Sequence, residues 1–202
     1  MENRILEVLN LYLEVFPEEK ERQEKLKNYL GTYQEEEAID WNNFDGHIVA
    51  SGFVYAKKEQ KHLVLYHKDM KCFLYPGGHV NSDDKNILEA ARREVQEETG
   101  IPNLEEVKIS LSELVPIDID THQIPYNERL DLKEHIHFDF RYLFMIDEIP
   151  EIHIDQDELS EYKWVSMEEL KKNIGNQIVL EKIDKITREL NRSSLHFIKK
   201  SL

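Results

Sequence analysis

The first thirty residues carry apolar side chains every three to four positions, which is the spacing of an amphipathic helix. Pro17 interrupts this period and Gly31 is expected to end it, because proline disrupts a helix interior and glycine favours helix ends. The pattern therefore predicts two helices. We expect them to form an N-terminal helical extension over residues 1–45, which packs on the core or mediates a homodimer rather than serving as a substrate lid.

After this extension, the apolar pattern changes to the period of two that is typical of β-strands. Two β-rich runs, at residues 47–56 and 62–67, are separated by the sequence KKEQK, which indicates a hairpin. The longest alternating run in the chain covers residues 135–146. Further strands are predicted at residues 107–119 and 162–165.

Helical patterns alternate with these strands. One helix is predicted within residues 76–101, and a second begins at Ser166, where Glu169 completes a capping box. A third, amphipathic helix is predicted over residues 176–191. Strands and helices in this order predict a mixed sheet between helical layers, which is an α/β/α sandwich of the α/β class. We assign residues 46–202 to this domain.

The chain has 202 residues and a formal net charge of −15, from 26 basic and 41 acidic residues. There is no basic surplus to displace the counterions of a polyanion, so neither long nucleic acid nor an anionic membrane is an expected partner. A small anionic substrate is compatible with this charge if a metal ion neutralises it locally.

Two further features of the composition point to the cytoplasm. The single cysteine, Cys72, excludes an internal disulfide and a cysteine-based zinc site. In addition, no apolar run is long enough to span a bilayer, and acidic residues throughout the N-terminal twenty positions are unlike a secretory or transit peptide. We therefore expect a cytoplasmic protein.

An unusual cluster of acids lies in the stretch PGGHVNSDDKNILEAARREVQEETGI, residues 76–101. Glu94, Glu97 and Glu98 have the spacing i, i+3 and i+4, so they share one face of the predicted helix. Like charges at this spacing repel each other by a few tenths of a kcal/mol per pair. A hard divalent cation such as Mg²⁺ or Mn²⁺ would offset this repulsion, because such ions prefer carboxylate oxygens.

This stretch resembles the signature of the Nudix hydrolase family. The second half of that signature, Arg-Glu-apolar-x-Glu-Glu-x-Gly-apolar, matches residues 93–101 at every position. The first half departs from the pattern, because the interval from Gly78 to Glu94 is one residue longer and Asp84 stands near the position of the first glutamate. The resemblance therefore covers residues 77–101 with a one-residue insertion in the first half.

The resemblance implies an α/β/α fold and a metal-dependent hydrolase that cleaves a nucleoside diphosphate linked to another group, by attack of water at phosphorus. It also implies that Glu94, Glu97 and Glu98 bind Mg²⁺ or Mn²⁺ and that Arg93 pairs with a glutamate and fixes its rotamer. The glycine pair before the helix permits close backbone approach, so the carbonyl group of Gly78 is a further candidate ligand.

The catalytic group is less well determined. Glu98, Glu97 and Arg93 are the candidates within the helix, and Glu98 is one candidate for the general base. Asp155, Asp157 and Glu158, in the acidic loop before the last strand, are the other candidates for the base, since any acid within reach of a metal-bound water would suffice. Asp83 and Asp84 are expected to cap the helix rather than bind metal.

A second polar cluster alternates along the longest strand. His135, His137, Asp139 and Arg141 share one strand face. We expect His135, His137 and Asp139, together with His79, to bind the substrate, with a facing wall supplied by Asp118, Asp120 and His122. The alternative is a solvated strand face on which Asp139 and Arg141 form an ion pair.

One feature of the sequence bears on the substrate. Pro116 lies fifteen residues beyond Ile101, and a proline at this distance is frequent in relatives that cleave ADP-ribose. A small nucleoside-diphosphate derivative similar to ADP-ribose is therefore the expected substrate. The alternative is a non-catalytic nucleotide sensor with the same fold, although the acids of the helix are intact.

Overall fold

A computed structural model describes residues 4–110, 115–126 and 132–199, without the side chains of residues 173 and 193–199. The α-helices are α1 (Arg4–Val15), α2 (Glu24–Thr32), α3 (Glu35–Ile39), α4 (Ile87–Thr99), α5 (Met167–Asn173) and α6 (Gln177–Lys199), and a 3₁₀ turn covers Pro17–Glu19. The strands are β1 (His47–Ala56), β2 (Lys61–His67), β3 (Cys72–Leu74), β4 (Gly77–His79), β5 (Glu105–Glu106), β6 (Asp118–Ile124), β7 (His135–Ile146) and β8 (Leu159–Val165).

All eight strands belong to one mixed sheet. The central order is β3-β2-β1-β7-β5, with β4 paired to β1, β6 to β7 and β8 to β2. β1 and β7 run parallel over ten residue pairs, from His47 opposite His137 to Ala56 opposite Ile146. The other pairings are antiparallel.

Alternate residues of β1 and β7 face two separate hydrophobic clusters, as the period of two requires. On one face, Ile48 and Phe140 pack with α1, α2 and α4. On the other face, Phe53 and Leu143 pack with α5 and α6. The sheet therefore lies between helical layers, and the predicted α/β/α sandwich is confirmed.

The N-terminal helices share the first of these clusters with the sheet. Tyr12 and Leu26 are fully buried in it, and the side-chain amide of Gln23 donates to the carbonyl oxygen of Ile119 at 2.7 Å. The extension thus packs on the core. The domain boundary at residues 45 and 46 stays a prediction.

Several predicted boundaries were wrong. Gly31 lies inside α2 instead of ending it, since a helix packed on a core tolerates one glycine. The strand predicted at residues 107–119 begins only at Asp118, and residues 111–114 lie outside the described part of the chain. The last strand begins three residues early, at Leu159, because it pairs along the length of β2.

No described helix combines the length and the apolar composition that crossing a membrane requires.

Candidate active site

Helix α4 is held in place by its ends and by close packing on the sheet. The side chain of Asn86 accepts the amide hydrogen of Glu89 at 2.9 Å, so Asn86 is the N-cap, and the prediction that Asp83 and Asp84 cap this helix was wrong. Gly100 ends the helix in the left-handed conformation, with φ of 71°. Against β1, a Cβ atom on Gly52 would lie only 2.5 Å from Val95.

The carboxylate of Glu98 is the most perturbed acid on this helix. Burial, and then the negative charge of Glu94, raise the pKa of Glu98 to about 8. The backbone amide of Gly77 donates to Oε2 of Glu98 at 3.3 Å. Among the residues that the structure describes, no lysine, arginine or histidine forms an ion pair with Glu98. Glu98 is therefore a partly buried acid without a cationic partner among the described residues.

Glu94 lies directly against the glycine pair. A Cβ atom on Gly78 would stand 2.5 Å from Oε2 of Glu94. Only glycine, which has no side chain, allows β4 to lie this close to the carboxylate. Burial also raises the pKa of Glu94. The glycine pair therefore lies directly against an acid of the helix.

Arg93 connects the acids of this region. Its guanidinium donates to Glu94 at 2.7 Å and to Glu97 at 2.9 Å. It also donates to both carboxylate oxygens of Asp84, at 3.0 and 2.9 Å, and to the carbonyl oxygen of His79 at 2.8 Å. Asp84 is thus a partner of Arg93 and part of a network that fixes the loop against the helix.

The carboxylate oxygens of α4 are suitable ligands for a hard divalent cation. Glu94 and Glu98 place crowded, partly buried carboxylates beside the glycine pair, and these oxygens are ligands that Mg²⁺ and Mn²⁺ prefer. The side chain of Glu97 is 59% exposed and paired with Arg93, so it lies at the margin of this group. Glu94 and Glu98 are therefore better placed than Glu97 as candidates for ligands, and the carbonyl group of Gly78 stays a predicted one.

The loop before β8 approaches the same helix end. The amide of Asp155 donates to the backbone carbonyl oxygen of Glu98 at 3.3 Å. The charges of Glu158 and Asp155 both contribute to the raised pKa of Glu98. Asp157 instead donates its amide hydrogen to the carboxylate of Asp155 at 2.8 Å. Two of the three predicted loop acids thus lie near Glu98.

The polar face of β7 is largely buried, so the alternative of a solvated strand face does not hold for its central residues. Asp139 is 2% exposed and Arg141 is 3% exposed, and they form the expected ion pair at 2.8 Å. Asp139 also accepts hydrogen bonds from Ser51 at 2.7 Å and Tyr75 at 3.1 Å. These partners satisfy Asp139 within the protein, and its role in substrate binding stays a prediction.

The polar residues of β6 do not form a facing wall. β6 pairs with β7 in the same sheet, with Asp118 opposite Arg141 and His122 opposite His137. Arg141 donates to Asp118 at 3.3 Å and to Asp120 at 2.9 Å. The polar residues of β6 and β7 do lie close together, as the alternating pattern indicated. They lie side by side on adjacent strands, and not across a cleft from each other.

Histidines gather at the end of this polar face. His47 stacks on His135 with 4.8 Å between ring centroids, and its ring lies 4.7 Å from His137 and 5.1 Å from His79. Nε2 of His135 lies 3.0 Å from Nε2 of His137. Burial lowers the pKa of His47 to about 4 and that of His137 to about 2, with neighbouring histidines as a further cause.

Sequence reasoning missed His47, which is fully buried at the start of β1. Only its pairing opposite His137 brings it into this group. A histidine that opens an otherwise apolar strand was the one signal available.

The glutamates and the histidines lie on opposite faces of β4. Successive strand residues point to opposite faces. Gly78 faces Glu94, whereas His79 points toward His47 and His137. The predicted site residues are therefore divided into two groups that meet at this short strand.

A cavity of about 570 Å³ lies between α4 and the end of β7, where Arg92, Gln96 and Met145 are among the lining residues. None of the predicted site residues lines it. The carboxylate site is therefore distinguished by its chemistry and not by this cavity.

Comparison with known proteins supports the resemblance seen in the sequence. The model of the NUDIX domain matches residues 45–183. A Lactococcus lactis protein named probable DHNTP pyrophosphohydrolase is 36% identical over 106 residues, which are 52% of this chain. The chain thus spans only 58% of the length of that relative.

Solved structures show the same fold. A C. elegans Ap4A hydrolase superimposes with a TM-score of 0.55 at 17% identity, covering 70% of this chain and 98% of the other. An E. coli dihydroneopterin triphosphate pyrophosphohydrolase gives a TM-score of 0.52 at 16% identity, covering 70% and 95%. The family match extends over more than half of the sequence, and this chain therefore belongs to the NUDIX family.

Proposed function

We propose that this protein is a divalent-cation-dependent pyrophosphohydrolase that cleaves a phosphoanhydride bond of a small nucleotide-type substrate by attack of water at phosphorus. The observation that carries this proposal is the pair of partly buried carboxylates, Glu98 and Glu94, packed against the Gly77–Gly78 backbone on the helix that matches the family signature. Arg93 compensates the charge of Glu94, and a bound cation would compensate that of Glu98, whose charged form is disfavoured by burial.

Mg²⁺ or Mn²⁺ is the proposed cofactor. When bound, such an ion neutralises phosphate charge and lowers the pKa of a coordinated water. Glu94, Glu98 and the Gly78 carbonyl would hold the ion, with Glu97 as a more exposed additional ligand. Arg93 keeps Glu94 and Glu97 in place through its hydrogen bonds.

The general base is proposed to come from the loop before β8 or from Glu98 itself. Asp155 and Glu158 are exposed and lie close enough to raise the pKa of Glu98. Asp157 is the weakest candidate of the loop, because its amide caps Asp155 and its charge is not among the main causes of that shift. Comparison of Asp155→Asn, Asp157→Asn and Glu158→Gln identifies a base in the loop by a large loss of kcat in one variant, and wild-type kcat in all three leaves Glu98 as the base.

The substrate is proposed to be a nucleoside-diphosphate derivative similar to ADP-ribose, with Pro116 as its sequence feature. His79, His135 and His137 would contact it at the other face of β4. A second candidate is dihydroneopterin triphosphate, favoured by the relative that is 36% identical and named for it. Both candidates join a planar ring system to a phosphoanhydride.

The compartment proposed for this reaction is the cytoplasm. The lone Cys72 suits a reducing environment, in which disulfides are rare. A homodimer formed through the N-terminal helices stays a prediction.

The test is a substrate panel assayed with Mg²⁺ or Mn²⁺. It contains dihydroneopterin triphosphate, ADP-ribose, nucleoside diphosphate sugars, dinucleoside polyphosphates and nucleoside triphosphates. Glu98→Gln should lower kcat/KM for the best substrate at least about 100-fold, since a metal contributes several kcal/mol to the transition state.

The matched control is Glu89→Gln, because Glu89 lies in the first turn of the same helix and pairs with Arg92. This variant should retain wild-type activity. If the wild-type protein binds members of the panel but hydrolyses none of them, the nucleotide sensor replaces the enzyme.

A further inference from the structure

We propose that His47, His79 and His137 form a second metal site, which binds a transition-metal ion of the zinc class and is separate from the carboxylates of α4. This inference goes beyond the proposed function, because it assigns to the histidines a ligand other than the substrate. It rests on the geometry of three strands and on one buried nitrogen atom.

The three imidazoles converge from three different strands. One ligand nitrogen of each residue lies within 4.8 Å of the corresponding nitrogens of the other two. Parallel pairing sets His47 opposite His137, and His79 pairs on the other side of β1, opposite Val49. Among the residues that the structure describes, this is the one group of at least three histidine, cysteine or acidic side chains that satisfies such a distance limit.

His47 supplies an independent sign of a ligand. The residue is 1% exposed, and its Nε2 atom is buried without a hydrogen-bond partner. Its Nδ1 atom lies 3.5 Å from the carbonyl oxygen of Asn43, a contact that favours the tautomer with its hydrogen on Nδ1 and a lone pair on Nε2. A buried polar atom with no partner is costly, and a bound cation would satisfy it.

His135 is not one of the three ligands, but its ring contacts His137 and orients it. Its Nδ1 atom lies 2.7 Å from the carbonyl oxygen of Lys133 and donates a hydrogen to it, so its Nε2 atom can accept a hydrogen from Nε2 of His137 at 3.0 Å. In that tautomer the lone pair of His137 is on Nδ1. Outer hydrogen bonds of this kind orient histidine ligands in metal sites.

The ligand chemistry selects the ion. Imidazole nitrogen suits Zn²⁺, Ni²⁺ and Cu²⁺, whereas Mg²⁺ prefers oxygen. Three protein ligands leave a fourth tetrahedral position, on the side where His79 is exposed, for water or an anionic oxygen.

The experiment measures zinc binding without any substrate, so its outcome does not depend on the proposed hydrolysis. The full chain without an affinity tag is stripped with a chelator and titrated with Zn²⁺ by calorimetry, in millimolar Mg²⁺. One Zn²⁺ per chain is expected. His79→Gln should raise the Kd for Zn²⁺ at least about 100-fold, since it removes a ligand, and loss of a ligand's outer hydrogen-bond partner alone costs about 10–100-fold.

Two variants serve as controls. His153→Gln changes an exposed histidine whose side chain is 71% exposed, and Glu98→Gln changes the carboxylate site. Both should bind Zn²⁺ as the wild type does. Because His79 lies at the surface, its replacement should leave the fold intact, which circular dichroism checks.

Cobalt provides a second readout. Co²⁺ bound by three imidazoles should give the intense visible absorption of a tetrahedral ion in the wild type and lose it in His79→Gln. The proposal is overturned if no Zn²⁺ binds, if His79→Gln binds it as tightly as the wild type, or if Mg²⁺ displaces it and Glu98→Gln abolishes it.

Discussion

Gly78 lies against the carboxylate of Glu94 so closely that a Cβ atom would stand 2.5 Å from Oε2. The contact joins the short strand β4 to helix α4. Any side chain at position 78 must displace either the strand or the carboxylate.

Gly78→Ala is therefore expected to lower kcat/KM by about 100-fold or more, because a 1 Å displacement of a catalytic group has an effect of this size. The apparent affinity for Mg²⁺ should fall as well. Steady-state kinetics at several Mg²⁺ concentrations measure both quantities. Gly31→Ala is the matched control, since nothing lies within 4 Å of a Cβ atom there. It should preserve activity and stabilise α2 by about 0.5–1 kcal/mol.

Arg93→Lys should raise the Mg²⁺ concentration needed for half-maximal activity about tenfold. A lysine cannot reproduce the planar fork with which Arg93 binds both oxygens of Asp84 and also Glu94. Titration of activity with Mg²⁺ checks this result. Arg92→Lys, at the neighbouring position, should leave the Mg²⁺ dependence unchanged, and equal behaviour of the two variants would contradict a positioning role for Arg93.

Asp139→Ala should destabilise the fold by about 3 kcal/mol, because it removes a partner from the buried charge of Arg141 and an acceptor from Ser51 and Tyr75. Urea denaturation followed by circular dichroism measures the change in the free energy of unfolding. Asp83→Ala, at an exposed position, should change it by less than about 0.5 kcal/mol. If both variants unfold at the same urea concentration, the network contributes little.

Because His62 is buried, we expect the free energy of unfolding to decrease in acid. Burial lowers the pKa of His62 to about 4 from its ordinary value of 6.5, so the unfolded chain binds a proton more readily than the folded one. The stability that depends on neutral His62 is fully present above pH 6.5 and is lost as the pH falls through 6.5 toward 4.

His62→Phe should therefore flatten the dependence of the free energy of unfolding on pH in this window. The ring of Tyr55 lies 4.9 Å away, and Nδ1 of His62 has no hydrogen-bond partner, so an apolar ring suits the position. His47 and His137 have lowered pKa values too, and some acid sensitivity should persist. His153→Gln should leave the pH profile as it is in the wild type.

The sequence was sufficient for features that depend on local spacing. The period of the apolar residues identified α1, α6 and the long strand β7, because side chains that share a face recur every three to four positions in a helix and every two in a strand. The acids at positions 94, 97 and 98 were found for the same reason. The capping box at Ser166 is likewise a local pattern and is confirmed.

Features that depend on strand pairing were not available from the sequence. The polar alternation of β7 was visible, but the burial of Asp139 and Arg141 follows from the strands and helices around them. The N-cap of α4 was assigned to the wrong residues. The carboxylate of Asp84 accepts hydrogen bonds from the guanidinium of Arg93, and Asn86 caps the helix instead.

The amino-acid sequence by itself determined the signature helix, its acids and the class of fold, because these follow from the periodicity of neighbouring residues. Only the tertiary structure decided that His47 lies beside His137, and that Gly78 and His79 point to opposite faces of one strand. Strand register is set by contacts between distant segments, and one residue of slip would turn every side chain to the other face.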